Sequence, residues 1–188
     1  FKFLKYNSEK ENYLLDKLAS LSKIHNKQNC KQILNLSNSL VQISNKPQSY
    51  IYRGRAKHFC LKDFNGAIND LTKALDLEPY NSKSYYLRGT SYELKKDYQK
   101  AINDFNMATI YDPLKNHIYY SLGITYFNLK EYSKSEDLFT KALRINNYSI
   151  SGYTDGVYNF TTTFRGLLNR ARARIPQGKF QLALADLK

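Results

Sequence analysis

The sequence predicts an all-α solenoid, a row of antiparallel helix-turn-helix hairpins, and three observations lead there. A pattern of small, aromatic and apolar residues recurs about every 34 residues. Each copy holds two stripes of helical spacing separated by a polar break. Prolines fall where a second helix should stop, since proline has no N–H to donate and disfavours a helical residue before it. The clearest copy covers residues 82–113, where Ala101, Ile102, Phe105, Ala108 and Thr109 share one face of a 3.6-residue helix. Ahead of them Tyr85, Gly89 and Tyr92 mark another helix, set off by Lys95-Lys96-Asp97. Small side chains at Gly89, Ala101 and Ala108 let backbones approach, and Tyr85, Tyr92, Tyr98 and Phe105 fill the space between helices. One such hairpin cannot bury its apolar faces, so copies must stack.

Taken in order, residues 1–12 carry mixed charge without a clear period. Residues 13–46 read as a degenerate hairpin, with Leu14, Leu15, Leu18 and Leu21 on its first helix, Ile33, Leu36, Leu40 and Ile43 on its second, and 26–29 as the turn. Three regular hairpins follow over 47–149. The one from Pro47 has Tyr50 and Gly54, then one extra residue before Phe64, expected to lengthen the helix end or turn near His58 to Leu61, after which Ala67, Leu71, Ala74 and Pro79 resume the register. The one from Asn116 has Tyr119, Gly123, Tyr126, Ser135, Phe139 and Ala142, with Asn147 where a proline is expected. Phe64, Tyr98 and Tyr132 close the three turns from beneath. Residues 150–163, ISGYTDGVYNFTTT, break the period and read as an inserted loop or short extended segment. The pattern returns over 164–188 with Leu167, Ala171, Phe180, Ala183 and Leu187, but Arg174 replaces an aromatic, and Pro176 should stop the first helix near Ile175. With Phe1 as first residue and a last hairpin cut inside its second helix, a longer protein with further repeats is expected.

These residues resemble the tetratricopeptide repeat, a 34-residue helical hairpin with an aromatic at position 4, a small residue at 8, an aromatic at 11, alanine at 20, an aromatic at 24, alanine at 27 and proline at 32. Tyr85, Gly89, Tyr92, Ala101, Phe105, Ala108 and Pro113 match every one of those positions. The resemblance implies a right-handed superhelix whose concave groove is lined by positions 2, 5, 9 and 12 of the first helices. Those are Gln48, Ile51, Arg55 and His58, then Lys83, Tyr86, Thr90 and Glu93, then His117, Tyr120, Ile124 and Phe127, and lastly Arg165, Leu168, Arg172 and Ile175. Arg55, Lys83, Tyr86, Thr90, Tyr120, Ile124 and Phe127 are thus the expected partner-binding groove, an aromatic and apolar wall suited to an extended or helical peptide. One subgroup of the family clamps chaperone C-terminal carboxylates with two lysines, two asparagines and an arginine. The clamp positions here hold Ile51, Arg55, Leu87, His117 and Ser121, or one repeat earlier Lys17, Leu21, Tyr52, Lys83 and Leu87, so that clamp is not expected.

The formal net charge of +13 sits mainly at the two ends: eight basic against three acidic residues in 1–46, and six against one in 164–188. Two explanations stand side by side. The chain is rich in Asn, Lys, Ile and Tyr, as proteins of AT-rich genomes are; alternatively the basic ends draw an acidic protein tail or a nucleic-acid backbone. Arg165, Arg170, Arg172 and Arg174 form the corresponding basic patch, read as a solvated helix face or, with Lys179, as a docking site. Arg53, Arg88 and Arg170 all occupy position 7, where each is expected to lay its stem along the neighbouring hairpin and pair with a carboxylate.

Cys30 and Cys60 form no CxxC pair and are expected as buried thiols of a reducing compartment. His25, His58 and His117 lack ligand spacing and are read as ordinary surface or interface residues. No phosphate loop, nucleophile elbow, zinc signature or kinase set occurs, so no catalytic residue, cofactor or metal is expected. No apolar run is long enough to span a membrane. The expected function is a non-catalytic scaffold or adaptor that holds a partner chain within a larger cytoplasmic assembly, cytoskeletal or ciliary by analogy. The alternatives are a basic docking module for acidic tails or nucleic acid, and the substrate-positioning arm of a larger enzyme.

Overall fold

The computed structural model describes the backbone of residues 2–21, 27–149 and 156–188, and the side chains of 7–21, 29–145 and 163–188. Its helices fall into two compact units, Phe1–Lys95 and Lys96–Lys188. The first holds α1 (Lys2–Leu21), α2 (Lys27–Ile43), α3 (Pro47–Ala56), a π-helical turn (Lys57–Leu61), α4 (Phe64–Leu77) and α5 (Ser82–Leu94). The second holds α6 (Tyr98–Tyr111), α7 (Asn116–Asn128), α8 (Tyr132–Ser149), α9 (Gly156–Arg174), a 3-10 turn (Ile175–Gln177) and α10 (Phe180–Asp186). Within each unit every helix packs on its neighbour in the chain, the arrangement that stacked hairpins require.

Helix starts follow from local chemistry. Pro47 opens α3 at a position whose N–H would be unbonded anyway. Asp63 caps α4 by accepting from the Gly66 N–H at 2.8 Å, and Asn81 caps α5 by accepting from the Ser84 N–H at 2.9 Å. Stops follow as well: α4 and α6 each end after 14 residues, two before Pro79 and Pro113, whereas α8, with Asn147 in place of proline, runs on for 18.

In the first unit Leu14, Leu18 and Leu40 are buried against Leu15, Ile33, Leu36, Ile43 and Tyr52, which is the core expected for the degenerate hairpin. A second cluster joins Ile51, Leu71, Ala74 and Leu87, with Tyr50 and Tyr86 packed on it. In the second unit Phe105 and Phe139 are the largest fully buried side chains, among Ala101, Ala108, Ile118 and Ala142. Ser135, at the alanine position, is fully buried because its hydroxyl donates to the Gly123 carbonyl at 2.8 Å.

Four expectations need correction. Residues 2–12 are helical, the front of α1, where Glu11 accepts from Ser44 and pairs with Lys46, so polar contacts to the hairpin's far end stand in for an apolar stripe. Lys27, Gln28 and Asn29 already belong to α2, and Asn26 lies outside the described residues. The insertion is not all loop: 156–163 form the first turns of α9, and 150–155 lie outside the described residues. The packed half of α9 beyond Phe164 nucleates the helix, and extending an existing helix costs far less than starting one, so threonine-rich residues without an amphipathic period still join it. Fourth, Cys30 and Cys60 are bridged, their Cα atoms 5.4 Å apart.

The extra residue of the first regular repeat is absorbed as the π-helical turn Lys57–Leu61, at the place where a lengthened helix end was expected. Each turn of the repeats then contains one left-handed residue two positions before the aromatic that opens the next helix. Lys62 (φ 56°), Lys96 (φ 62°) and Lys130 (φ 63°) take it in three repeats, and Gly178 (φ 71°) in the last. A Cβ at Gly178 would meet nothing within 4 Å, so only backbone strain would be felt there. Gly178→Ala is expected to lower stability by about 1 kcal/mol, read as the midpoint of urea unfolding.

Candidate partner-binding faces

In the first unit α3 and α5 carry the expected groove residues. Arg55 and Lys83 come close enough that the Lys83 ammonium is held below its usual range, by partial burial first and by the Arg55 charge second. Tyr86 lies half-buried on the apolar cluster of Ile51, Leu71, Ala74 and Leu87. Thr90 is turned inward, its hydroxyl donating to the Leu87 carbonyl at 2.8 Å, so it contributes a methyl group more than a free hydroxyl.

Of the two readings, surface or interface, His58 takes the second, between one hairpin and the next. It is 4% exposed in the π-helical turn, with Phe59 and Phe64 edge-on to its ring. Its Nδ1 sits 2.8 Å from Ser91 Oγ. The Ser91 hydroxyl donates to the Leu87 carbonyl at 2.9 Å, which leaves His58 Nδ1–H as the donor to Oγ. Burial, helped by the Lys62 charge, pushes the imidazole down to about 4. The folded-state value lies below the unfolded one, so the unfolded chain binds the extra proton between about pH 6.5 and 4 and stability falls as pH drops through that window. Urea unfolding should show that loss in the wild type, and His58→Phe, which cannot be protonated, should make the decline shallower between those limits, the remainder including His117, which burial also holds below its usual range.

In the second unit α7 and α9 meet, and the structure brings Tyr120 and Phe127 together with residues of α9. The Tyr120 hydroxyl accepts from Asn169 Nδ2, and the Tyr120 ring lies 5.6 Å from that of Phe139. Burial raises the Tyr120 hydroxyl above its usual range, while Arg165, the Asn169 bond and Arg172 pull the other way. The Arg172 guanidinium lies 5.4 Å over the Phe127 ring and donates to Asn169 Oδ1 at 3.3 Å. Ile124 stands half-buried one turn from each aromatic on the same helix. Arg165 and Arg172 themselves are exposed. The face is therefore an aromatic floor with a guanidinium laid across it and a second cation at its edge. Asn169 was not among the expected site residues; it stands between Arg165 and Arg172 on α9, but only the pairing of α7 with α9 reveals its role.

The basic patch splits, and two of its arginines are corrected. Arg170 Nε and Nη2 bond both oxygens of Asp186, at 3.0 and 2.5 Å. Arg174 bonds Glu136 at 2.7 Å, Asp186 at 2.6 Å and the Leu182 carbonyl at 3.0 Å. Lys179 adds a bond to Glu136 at 2.7 Å and Gln177 another at 3.2 Å. With side chains only 18% and 12% exposed, Arg170 and Arg174 are neither a solvated face nor a docking site; they bind α9 to α8 and α10. Burial tends to raise the Glu136 carboxyl, but bonds from Lys179 and Arg174 outweigh it and hold it below its usual range. Arg174 thus replaces the aromatic of position 11 with an ion-pair hub.

The position-7 expectation of a carboxylate partner holds for Arg53 and Arg170. Arg53 bonds both oxygens of the buried Asp70, at 2.9 and 2.6 Å, and Lys57 joins at 2.8 Å. Arg88 donates to Thr72 Oγ1 at 3.0 Å and lies over the Tyr85 ring. A sequence signal for such pairs exists: an aspartate 16 residues after the arginine, or 17 where the repeat has its extra residue.

Among the described residues no group of three or more His, Cys, Asp or Glu side chains could hold a metal ion, and no helix is long and apolar enough to cross a membrane.

Hairpins of this length, stacking order and residue pattern define a tetratricopeptide-repeat protein. Sequence profiles described as tetratricopeptide repeat match residues 71–103 and 117–149. Among solved structures, MamA 41-end from Desulfovibrio magneticus RS-1 is similar with a TM-score of 0.76 at 16% identity, over 95% of this chain and 91% of that one. The Sgt2 TPR domain from Aspergillus fumigatus gives 0.57 at 23% identity, over 70% and 80%. The first TPR of Spaghetti (RPAP3), solved bound to an HSP90 peptide, SRMEEVD, gives 0.52 at 22% identity, over 54% and 80%. Comparison with curated proteins by sequence found no match.

Proposed function

We propose that the chain is a non-catalytic interaction scaffold that holds an acidic, aromatic-containing segment of a partner protein within a larger multi-subunit assembly, of the cytoplasmic, cytoskeletal or ciliary kind. The observation that carries this reading is the α7–α9 face, where Tyr120, Phe127, Asn169 and Arg172 form one continuous aromatic and cationic surface. Aromatic and arginine side chains supply most of the affinity at protein interfaces, and a guanidinium already seated on a ring loses little freedom when a carboxylate docks on it. Arg55, Lys83 and Tyr86, on the first helices of two successive repeats, are a second candidate place in the first unit. The neighbour solved with an acidic chaperone peptide supports peptide holding as a use of this fold, while the missing clamp residues argue for a different sequence in the partner.

The alternative of a docking module for nucleic acid loses most of its support from the ion pairs: Arg170, Arg174 and Lys179 are engaged with Asp186 and Glu136. Crosslinking mass spectrometry in native extract would identify the partner segment. Against that segment, Phe127→Ala with Arg172→Ala should weaken binding by at least about 30-fold, as loss of an interface hot spot does. Unchanged affinity would refute the α7–α9 face, and an affinity falling linearly with salt on a log–log scale would favour a polyanion instead.

A further inference from the structure

The Cys30–Cys60 bridge sits where the first regular repeat departs from its period by one residue. Cys60 lies in the π-helical turn, and that turn is how the backbone absorbs the extra residue of this repeat. One residue added to a helix rotates everything beyond it by about 100°. The departure therefore decides which way Cys60 faces, and it faces Cys30 in the first turn of α2, to which the turn is packed. The same turn carries His58, whose bond to Ser91 ties it to α5. One five-residue turn thus connects the degenerate hairpin α1–α2 to the regular repeats, covalently on one side and by a buried hydrogen bond on the other.

Without the bridge the hairpin is still held by the packing of α2 along α3. The α1–α2 core of Leu14, Leu18 and Leu40 is largely internal to the hairpin, and Tyr52 is the regular-repeat residue packed on it. The polar ties Glu11–Ser44 and Glu11–Lys46 also lie at or before the start of α3. Both cysteines are only partly buried, within reach of a small thiol.

We propose that Cys30–Cys60 is a redox-sensitive staple that fixes the N-terminal hairpin on the first regular repeat, and that its reduction loosens α1–α2 against α3 while α4 and α5 keep their packing. Opening takes two electrons and two protons from a dithiol, which leaves as its own disulfide, while Cys30 and Cys60 become thiols. Closing returns them to a disulfide donor by the reverse exchange. In a reducing compartment the hairpin is held by packing alone, and where a disulfide donor is present it is stapled as well.

The test is hydrogen exchange with intact-mass analysis of the full chain, with and without dithiothreitol. Before reduction iodoacetamide should add nothing; afterwards it should modify both cysteines. On reduction, amide exchange in α2 and at the α2–α3 connection should accelerate on the order of hundredfold, as expected for losing a bridge that closes a loop of this length. Exchange in α4, α5 and the second unit should be unchanged. The Cys30→Ser, Cys60→Ser double variant should show the accelerated pattern without reductant and no further response to it. Alkylation of both cysteines in air-oxidised protein would overturn the proposal, as would exchange in α2 that ignores reduction, or acceleration spread equally over α4 and α5.

Discussion

Arg174→Leu is expected to lower the stability of the second unit by about 3 kcal/mol, although it replaces a charge with an apolar side chain at a position the repeat pattern reserves for an apolar ring. The reason lies in what would be left behind. Arg174 satisfies one oxygen each of Glu136 and Asp186 and a backbone carbonyl, and both carboxylates are nearly covered, at 12% and 4% side-chain exposure. Removing the guanidinium leaves Asp186 to Arg170 and Glu136 to Lys179 and Gln177, with fewer bonds than buried carboxylates need. Arg174→Lys should recover only part of the loss, because an ammonium cannot span two carboxylates as the planar fork does. Arg174→Tyr, which restores the family residue, should behave like leucine.

A pH series separates this from simple packing loss. The Glu136 carboxyl is held below its unfolded value, so its contribution is present above the ordinary carboxylate range and is lost as pH falls through the folded value. In the wild type stability should decline across that acid limb; in Arg174→Leu the decline should be shallower, since one of the groups lowering Glu136 is gone. Urea unfolding of the full chain at several pH values, with hydrogen exchange to locate the loss, would decide it. An Arg174→Leu chain with unchanged midpoint at neutral pH would show the hub to be energetically idle.

Phe139→Ala should cost about 3–5 kcal/mol, the range for deleting a fully buried ring that cannot be refilled. The ring packs directly on the Gly123 backbone, where an added Cβ would stand 2.8 Å from it. Gly123→Ala alone should therefore cost roughly 1–3 kcal/mol by overpacking. Gly123→Ala combined with Phe139→Leu should cost less than the sum of the two, because the smaller, flexible side chain can move away from the new methyl. Additive losses would mean that the two residues do not touch. Because each hairpin of a solenoid leans only on its neighbours, protection from exchange should be lost in α7 and α8 first.

The period of the chain was a sufficient statement of its architecture, since a hairpin with Tyr85, Gly89, Ala101 and Phe105 at those spacings can bury itself only by stacking on copies. Helix stops at Pro79, Pro113 and Pro176, and even the bulge near His58 to Leu61, were legible because they follow from local backbone chemistry. The α7–α9 face proposed for a partner was legible in half: Tyr120, Phe127 and Arg172 stand at positions that the repeat turns to one side, whereas Asn169 enters only through its bond to Tyr120 across two helices.

What the sequence could not express were the pairings that depend on distance through space. Arg174 read as part of a basic face because nothing at its own position calls for a carboxylate; folding of α10 and α8 against α9 brings Asp186 and Glu136 to it, whereas the partner of Arg170 was already expected from its position in the repeat. Cys30 and Cys60 read as separate thiols for the same reason, until the π-helical turn rotates one toward the other. Residues 156–163 read as a loop because they lack a stripe, yet a helix nucleated by packing farther along extends through them. The sequence by itself determined a row of tetratricopeptide hairpins and where each helix ends, because those rest on contacts within about one repeat. Only the tertiary structure decided which charges remain on the surface, which cysteines are joined and which side chains share a face, because charge, redox state and shape are set by neighbours that the chain brings together only when it folds.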